Sequence, residues 1–302
     1  MEIKGIISGL KRMEIHDGDG LRTTVFFKGC PLKCLWCHNP ESISKKPQLA
    51  HFYEKCISCG SCVAVCPNSA ITFNQRELYV DEQKCTLCGK CESECPSLAI
   101  NLFGKEYDVD TLVEMLLADK PFFDNSGGGV TLSGGECLYQ ADFAVQVAKE
   151  LFERSVSVNV DTCGFVSRKV LERIMPYTDT FLYDIKAIDS KLHKKLTGVD
   201  NAVILENLTF LIQSGAKIEI RFPLVQGINS DETEKIGEFL SKFSTPPKIK
   251  VLQYHSLAGS RYQALRMENT LPKVTTTISD VQNAVNTLKS FNLLAINGTS
   301  EK

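Results

Sequence analysis

The 302-residue chain carries 34 basic and 36 acidic residues, a formal net charge of -2, so it offers no basic face for a phosphate backbone and a nucleic-acid substrate is not expected. Its length suffices for a large core, or for a core plus a small second domain. The N-terminal stretch MEIKGIISGLKRMEIHDGDG has no apolar core of signal-peptide length, and no apolar run approaches about 18 residues, which predicts a cytoplasmic protein without a membrane segment. Thirteen cysteines are the unusual feature. In a reducing cytosol, clustered cysteines indicate metal rather than disulfides.

The first expected strand, 23–27 (TTVFF), runs into GCPLKCLWCHN at 29–39. That stretch places Cys30, Cys34 and Cys37 in a CxxxCxxC spacing with no fourth cysteine nearby. Three thiolates cannot close a tetrahedral or cubane site, and an open coordination position marks a metal centre meant for chemistry. The triplet alone fits a catalytic iron-sulfur cluster, a zinc knuckle or three reduced surface cysteines.

An internal repeat follows. CISCGSCVAVCPNSAI at 56–71 lies over CTLCGKCESECPSLAI at 85–100. Each copy reads CxxCxxCxxxCP, the spacing of bacterial two-cluster ferredoxins, in which the fourth cysteine of each run ligates the other cluster. This predicts Cys56, Cys59, Cys62 and Cys95 on one 4Fe-4S cluster and Cys85, Cys88, Cys91 and Cys66 on a second. The apolar Ile71, Phe73, Ile100 and Leu102 are expected to flank them. Residues 47–103 are accordingly expected to form a ferredoxin-like insert in a larger domain made of 1–46 and 104–302.

Beyond the insert, short apolar strands alternate with amphipathic helical stretches, the pattern of parallel β/α units. The further strands are expected at 130–133, 156–161, 181–184, 217–225 and 249–254, and helices near 108–119, 139–154, 167–175, 202–214, 231–243 and 279–291. Unusual polar residues follow or end these strands: the cysteine triplet, SGGE, DT, DIK, Arg221 and His255. In parallel barrels the active site forms at the C-terminal strand ends. The expected fold is α/β, a partial (β/α)6 barrel with the triplet in its active site. The glycines at 126–129 (SGGG) lack the Lys-Ser/Thr of a P-loop and are read as a flexible approach to the site.

An aromatic residue before the last cysteine, then GGE and a partial barrel, resemble the radical S-adenosylmethionine (SAM) enzymes. HDGDGLRTTVFFKGCPLKCLWCHNPES, SGGGVTLSGGE, DTCGF, YDIK and TGVDN in order resemble the glycyl-radical-enzyme activating enzymes, in the branch with a two-cluster insert. The resemblance runs from about residue 5 to 295. It implies a radical SAM barrel whose site-differentiated cluster, on Cys30, Cys34 and Cys37, binds SAM at its open iron. Reductive cleavage would give a 5'-deoxyadenosyl radical that takes hydrogen from a glycine of a partner glycyl radical enzyme, with flavodoxin or ferredoxin as electron donor. Including the insert, three 4Fe-4S clusters are implied. Trp36 and His38 would lie beside SAM, and Gly134, Gly135 and Glu136 would offer backbone and carboxylate acceptors to its ammonium. Lys186 would take the SAM carboxylate or ribose, Asp161 and Asp184 with Thr162 a monovalent cation, and Ile185, Arg221 and His255 would complete the cofactor site. For Asp161, Asp184 and Lys186 a structural ion-pair network is the alternative.

Departures from the family pattern include DGDG for the common DGPG, which removes proline's fixed φ and predicts a more mobile turn. Cys137 and Cys163 stand where proline and asparagine are frequent, as small partly buried side chains or as redox or ligand groups. Two other functions are weighed: a radical SAM enzyme acting on a small molecule or peptide, and an iron-sulfur electron-transfer protein. SGGE, DIK and His255 speak against the last, since a relay needs no ammonium or carboxylate acceptors. Among partners of this branch the choice falls on a hydroxyproline dehydratase, with no residue to support it.

Overall fold

A computed structural model describes residues 3–74 and 77–298. Along the chain its strands are β1 (Lys4–Glu14), β2 (Arg22–Phe27), β3 (Gln48–His51), β4 (Ile71–Asn74), β5 (Glu77–Val80), β6 (Ile100–Phe103), β7 (Lys105–Asp108), β8 (Gly129–Gly134), β9 (Ser157–Thr162), β10 (Thr180–Asp184), β11 (Ile218–Leu224), β12 (Lys248–Gln253) and β13 (Ala295–Asn297). A nine-stranded sheet runs in the order β13-β12-β11-β10-β9-β8-β2-β1-β7. From β2 to β13 every pairing is parallel. The expected strands are all there, as β2 and β8 to β12. Three strands go beyond the expectation: β1 and β7 add an antiparallel edge, and β13 extends the other side.

Helices cover the outer face of the sheet. Val25, Leu132, Val160, Tyr183, Ile220 and Val251 share one buried cluster with Leu112, Val147, Leu151, Leu208, Ile236 and Leu288 of the helices. Side chains alternate along a strand, so the inner face receives Thr24, Thr131, Ser133, Asn159, Asp161 and Arg221, a polar lining. Helix ends are fixed locally: Asp108 accepts from Thr111 N (2.7 Å), Asp189 from Leu192 N (2.8 Å), and Thr277 with Asp280 forms a capping box before Ile278–Ser290.

The β1–β2 loop enters this lining from below. The Asp17 carbonyl accepts from Thr131 Oγ1 (2.7 Å) and Asn159 Nδ2 (3.3 Å), and its carboxylate from Thr24 Oγ1 (2.7 Å) and Arg221 Nη1 (3.2 Å). These four side chains, from β2, β8, β9 and β11, hold the turn that lacks proline's fixed φ. The SGGG stretch also departs from expectation. Gly127 ends the helix Lys120–Ser126 with φ +69°, and a Cβ on Gly128 or Gly129 would lie 1.9 Å from Leu21 O or 2.1 Å from Ser157 O. The stretch is packed backbone at the N-terminal end of β8, the far end from the site.

Residues 47–103 leave and return at one place: a Cβ on Gly104 would lie 2.9 Å from Pro47 Cα. Within the segment β3 pairs β6 and β4 pairs β5, both antiparallel. The sequence repeat is also a repeat of backbone conformation. Ser58 and Leu87 (φ 56° and 53°), Gly60 and Gly89 (78° and 76°), and Ser69 and Leu98 (47° and 53°) adopt positive φ in pairs. Gly60 and Gly89 each lead into a short helix, Ser61–Ala64 and Lys90–Ser93. Among the described residues no helix is long and apolar enough to cross a membrane.

Candidate active site

The cysteine loop begins where β2 ends. Backbone bonds hold it on two sides: Gly29 N and Cys30 N donate to Ser42 O (2.8 Å) and Ile43 O (3.0 Å), and Lys33 N and Leu35 N to Thr197 O (2.7 Å) and Leu196 O (3.0 Å). Burial pushes all three thiols up, Cys37 to about 12. They are poor thiolates until a cationic centre compensates them, which metal ligation does. Among the described residues no three His, Cys, Asp or Glu side chains converge closely enough for a single metal ion, as a zinc knuckle would require. Thiolates at the corners of a cluster stand farther apart, and the three here feel one another's charge. The donor set fits a cluster with an open position.

Trp36 does not line an open site. It is buried with Leu196, Val225, Tyr254, Ala258, Tyr262 and Leu271, and supports the loop by packing. His38 and His255, each expected beside SAM, meet one another: their rings stack at 4.2 Å and 14°, and His38 Nε2 pairs with the His255 carbonyl at 2.7 Å.

At the end of β8, Glu136 is 1% exposed and its carboxylate is fully engaged within the chain. Thr162 Oγ1 bonds both its oxygens at 2.9 Å, Cys163 N donates at 2.8 Å and Leu138 N at 3.1 Å. Burial raises its pKa against these bonds. The expected carboxylate acceptor for an ammonium is therefore corrected to backbone only, because the side chain ties β8 to β9. Thr162 is engaged in the same bond rather than turned to a cation. Cys137 and Cys163 are buried; burial pushes both thiols well up, and the Cys137 thiol donates to the Asp161 carbonyl (3.6 Å).

Asp161, Asp184 and Arg221 meet at adjacent strand ends. Asp161 Oδ2 accepts from Ser133 Oγ (2.6 Å) and lies 3.7 Å from Arg221 Nη1. Burial pushes the Asp161 carboxyl up to about 7, against the guanidinium of Arg221 and with Asp184 and Asp17 adding to the rise. Lys186 Nζ lies 2.8 Å from Asp184 Oδ2; burial works against its charge, but the Asp184 carboxylate outweighs it and holds the ammonium charged. Ile185, expected at the cofactor, is 1% exposed inside the main core, so only its backbone faces the site. Asp17, not among the expected site residues, is the added member. Its signal was the DGDG motif, but nothing in that motif told which strand it would meet.

In the insert, one small cavity is lined by Cys56, Cys59, Cys62 and Cys95 with Phe73 and Ile100. A second is lined by Cys66, Cys85, Cys88 and Cys91 with Leu49 and Ile71. Those are the two crossed sets read from the repeat.

The family model of the radical SAM superfamily matches residues 24–240, the span from β2 through the cysteine loop to the helix after β11. The chain belongs to the radical SAM superfamily. SAM and a 4Fe-4S cluster are the cofactors of that family. This radical SAM chain is 43% identical over 265 residues to the trans-4-hydroxy-L-proline dehydratase activating enzyme of Clostridioides difficile, covering 86% of this chain and 87% of the relative. It is 38% identical over 276 residues to the choline trimethylamine-lyase activating enzyme of Oleidesulfovibrio alaskensis, covering 89% of each. Within the superfamily it belongs with the glycyl-radical-enzyme activating enzymes. Its fold is like that of Streptococcus suis SuiB bound to precursor peptide SuiA, with a TM-score of 0.56 at 14% identity over 89% of this chain and 46% of that one.

Proposed function

We propose that this radical SAM enzyme installs a glycyl radical on a hydroxyproline dehydratase. The observation that carries the partner is the 43% identity to an activating enzyme of that name. Cys30, Cys34 and Cys37 would hold the SAM-binding cluster. When bound, cluster and SAM supply a 5'-deoxyadenosyl radical that takes a hydrogen atom from a backbone glycine of the partner. The carbonyls at Gly134, Gly135 and Glu136 accept from the methionine ammonium, Lys186 pairs with the carboxylate, and His38 and His255 offer ring faces beside it. Asp161 and Asp184 are the ligands for a monovalent cation; with no cation bound, Arg221 and Lys186 neutralise them. Asp17 and Arg221 fix the floor of the site and exclude water from below.

The insert holds two further 4Fe-4S clusters, on Cys56, Cys59, Cys62 and Cys95 and on Cys85, Cys88, Cys91 and Cys66, and passes electrons from a flavodoxin or ferredoxin. After anaerobic reconstitution, SAM and dithionite are expected to yield 5'-deoxyadenosine, and a glycyl doublet in electron paramagnetic resonance on the dehydratase. Cys34→Ala is expected to abolish both. Absence of 5'-deoxyadenosine would leave electron transfer as the function. Turnover without a doublet on any glycyl radical enzyme of the same genome would leave a small-molecule or peptide substrate.

A further inference from the structure

Because the two copies of the cysteine repeat share one backbone conformation, each position around one crossed set has a counterpart around the other. Ile57 corresponds to Thr86, and Leu98 to Ser69. Ile57 and Leu98 both belong to the set Cys56, Cys59, Cys62 and Cys95: Ile57 lines that cavity, and Leu98 stands between Ser97 and Ala99, which line it too. Thr86 lines the cavity of the other set, and Ser69 follows its Cys66. All four residues are exposed, Ile57 by 65% and Leu98 by 68%.

The fold requires neither apolar side chain. The other copy forms the same loops with threonine and serine, and Leu98 holds φ 53° against 47° for Ser69, a region that a side chain as large as leucine disfavours. Neither joins the apolar cluster of the insert, which is built on Cys62, Ile71, Leu78, Cys91 and Ile100. Other differences between the copies have local causes. Tyr53, opposite Glu82, shares a cavity with Gln263 and Ala264 of the helix Gly259–Ala264. Glu92, opposite Val63, accepts from Leu102 N (2.9 Å) and pairs with Lys105 (3.0 Å), and Leu87, opposite Ser58, is half-buried in the wall of its own cavity. Around the other set the surface is closed by polar groups, Asn68 Nδ2 donating to Lys84 O (3.0 Å) and Thr86 Oγ1 (3.3 Å).

Large apolar side chains kept exposed where the fold accepts polar ones mark a contact surface. Reductive cleavage of SAM consumes an electron, which a protein donor must bring close to a cluster. A patch of two residues suits a transient electron-transfer encounter, the smallest class of specific interface, and not a stable dimer. The first copy, residues 56–71, carries no charged side chain, so it fits a donor that offers an apolar edge and not one recognised by charge pairs. A flavin has such an edge in the methyl-bearing end of its ring.

We propose that Ile57 and Leu98 form the docking point of a flavodoxin-type donor, so that electrons enter the insert through the set Cys56, Cys59, Cys62 and Cys95. One electron leaves the donor's reduced flavin and one is gained by the cluster; no bond forms or breaks. The inference rests on the two-cluster reading of the insert.

The test is stopped-flow reduction of the anaerobically reconstituted full chain by reduced flavodoxin, with dithionite as a small reductant that needs no docking. Ile57→Thr and Leu98→Ser, singly and together, introduce the residues that the other copy already uses, and Thr86→Ala is the control on the other set. The second-order rate with flavodoxin is expected to fall about tenfold in the double variant and to hold in Thr86→Ala, with dithionite rates and iron content unchanged throughout. If the double variant loses iron, the single variants carry the comparison. An undiminished flavodoxin rate in iron-loaded variants overturns the inference. So does a loss confined to reduced ferredoxin, which would assign the patch to an iron-sulfur donor, or a loss of the glycyl doublet under dithionite, which would assign it to the glycyl radical enzyme. Wild type that binds iron at the cysteine loop alone overturns the two-cluster reading itself, and this inference with it.

Discussion

A Cβ added to Gly135 would lie 2.5 Å from the carbonyl oxygen of Gly29, and 2.4 Å from that of Ser42. The end of β8 and the start of the cysteine loop thus touch backbone to backbone, joined by Glu136 N to Gly29 O at 2.9 Å. The paired glycines of GGE admit the chain's own loop before any ligand.

Gly135→Ala should therefore push the cysteine loop out of place, since backbone on both sides cannot step aside as a flexible side chain would. We expect a loss of about 1–3 kcal/mol in stability and a larger loss of the SAM-shifted cluster signal, with the iron of the insert retained. Gly127→Ala is the control: φ is +69° but no atom lies within 4 Å, so it should cost only about 1 kcal/mol of backbone strain. Iron content and urea midpoints separate the two.

Glu136→Gln replaces an acceptor-only group with one that carries two N–H donors. The new nitrogen stands in place of one oxygen and so would face either the Leu138 or the Cys163 amide, each of which also donates. Leaving such buried donors without an acceptor costs about 1–3 kcal/mol each, so the variant should unfold at clearly lower urea with its β8–β9 junction loosened. An unchanged midpoint would mean the carboxylate is not tied as described.

Asp161 gives a pH dependence of defined sign. Its folded pKa is raised to about 7 by burial, above the value of the unfolded chain, so its favourable contribution is complete below the ordinary carboxylate range and disappears as pH rises to about 7. The groups facing it are Ser133, Asp17, Asp184 and Arg221. Between about pH 4 and 7, wild type should lose stability relative to Asp161→Asn, with a slope of at most about 1.4 kcal/mol per pH unit. Urea midpoints of both proteins across that range test it, and parallel curves would refute it.

Cys56→Ala and Cys85→Ala should each remove iron from the insert and slow 5'-deoxyadenosine formation while leaving SAM binding intact. Equilibrium dialysis with labelled SAM measures the second. Loss of SAM binding in an otherwise folded variant would contradict the separation of the two sites.

The parallel core was legible because strands buried between helices and a lining read as short apolar runs bounded by polar strand ends. The β1–β7 edge was not, since KGIISGLKRME has no clean alternation and register shifts interrupt its pairing. At the site, the residues to inspect could be read from the sequence, but the directions of their side chains could not. Trp36, Ile185 and the Glu136 carboxylate all sit at expected positions yet face inward to packing or to the chain's own amides. What turns them are neighbours distant in sequence, as with Arg261, which reaches His38 from 223 positions away. No spacing pattern encodes such a meeting.

Pro47 and Gly104 lie against each other, so the chain leaves the barrel and rejoins it at one place. Away from that place the segment still touches the barrel, where Lys28 Nζ donates to Gln48 Oε1 (2.9 Å) and Arg266 Nη2 to Leu78 O. Joining 46 to 105 would remove both acceptors, so excising the eight-cysteine segment is a design operation that must also replace them. A shortened chain that still folds would allow the cysteine loop to be studied with a single cluster and an uncluttered spectrum.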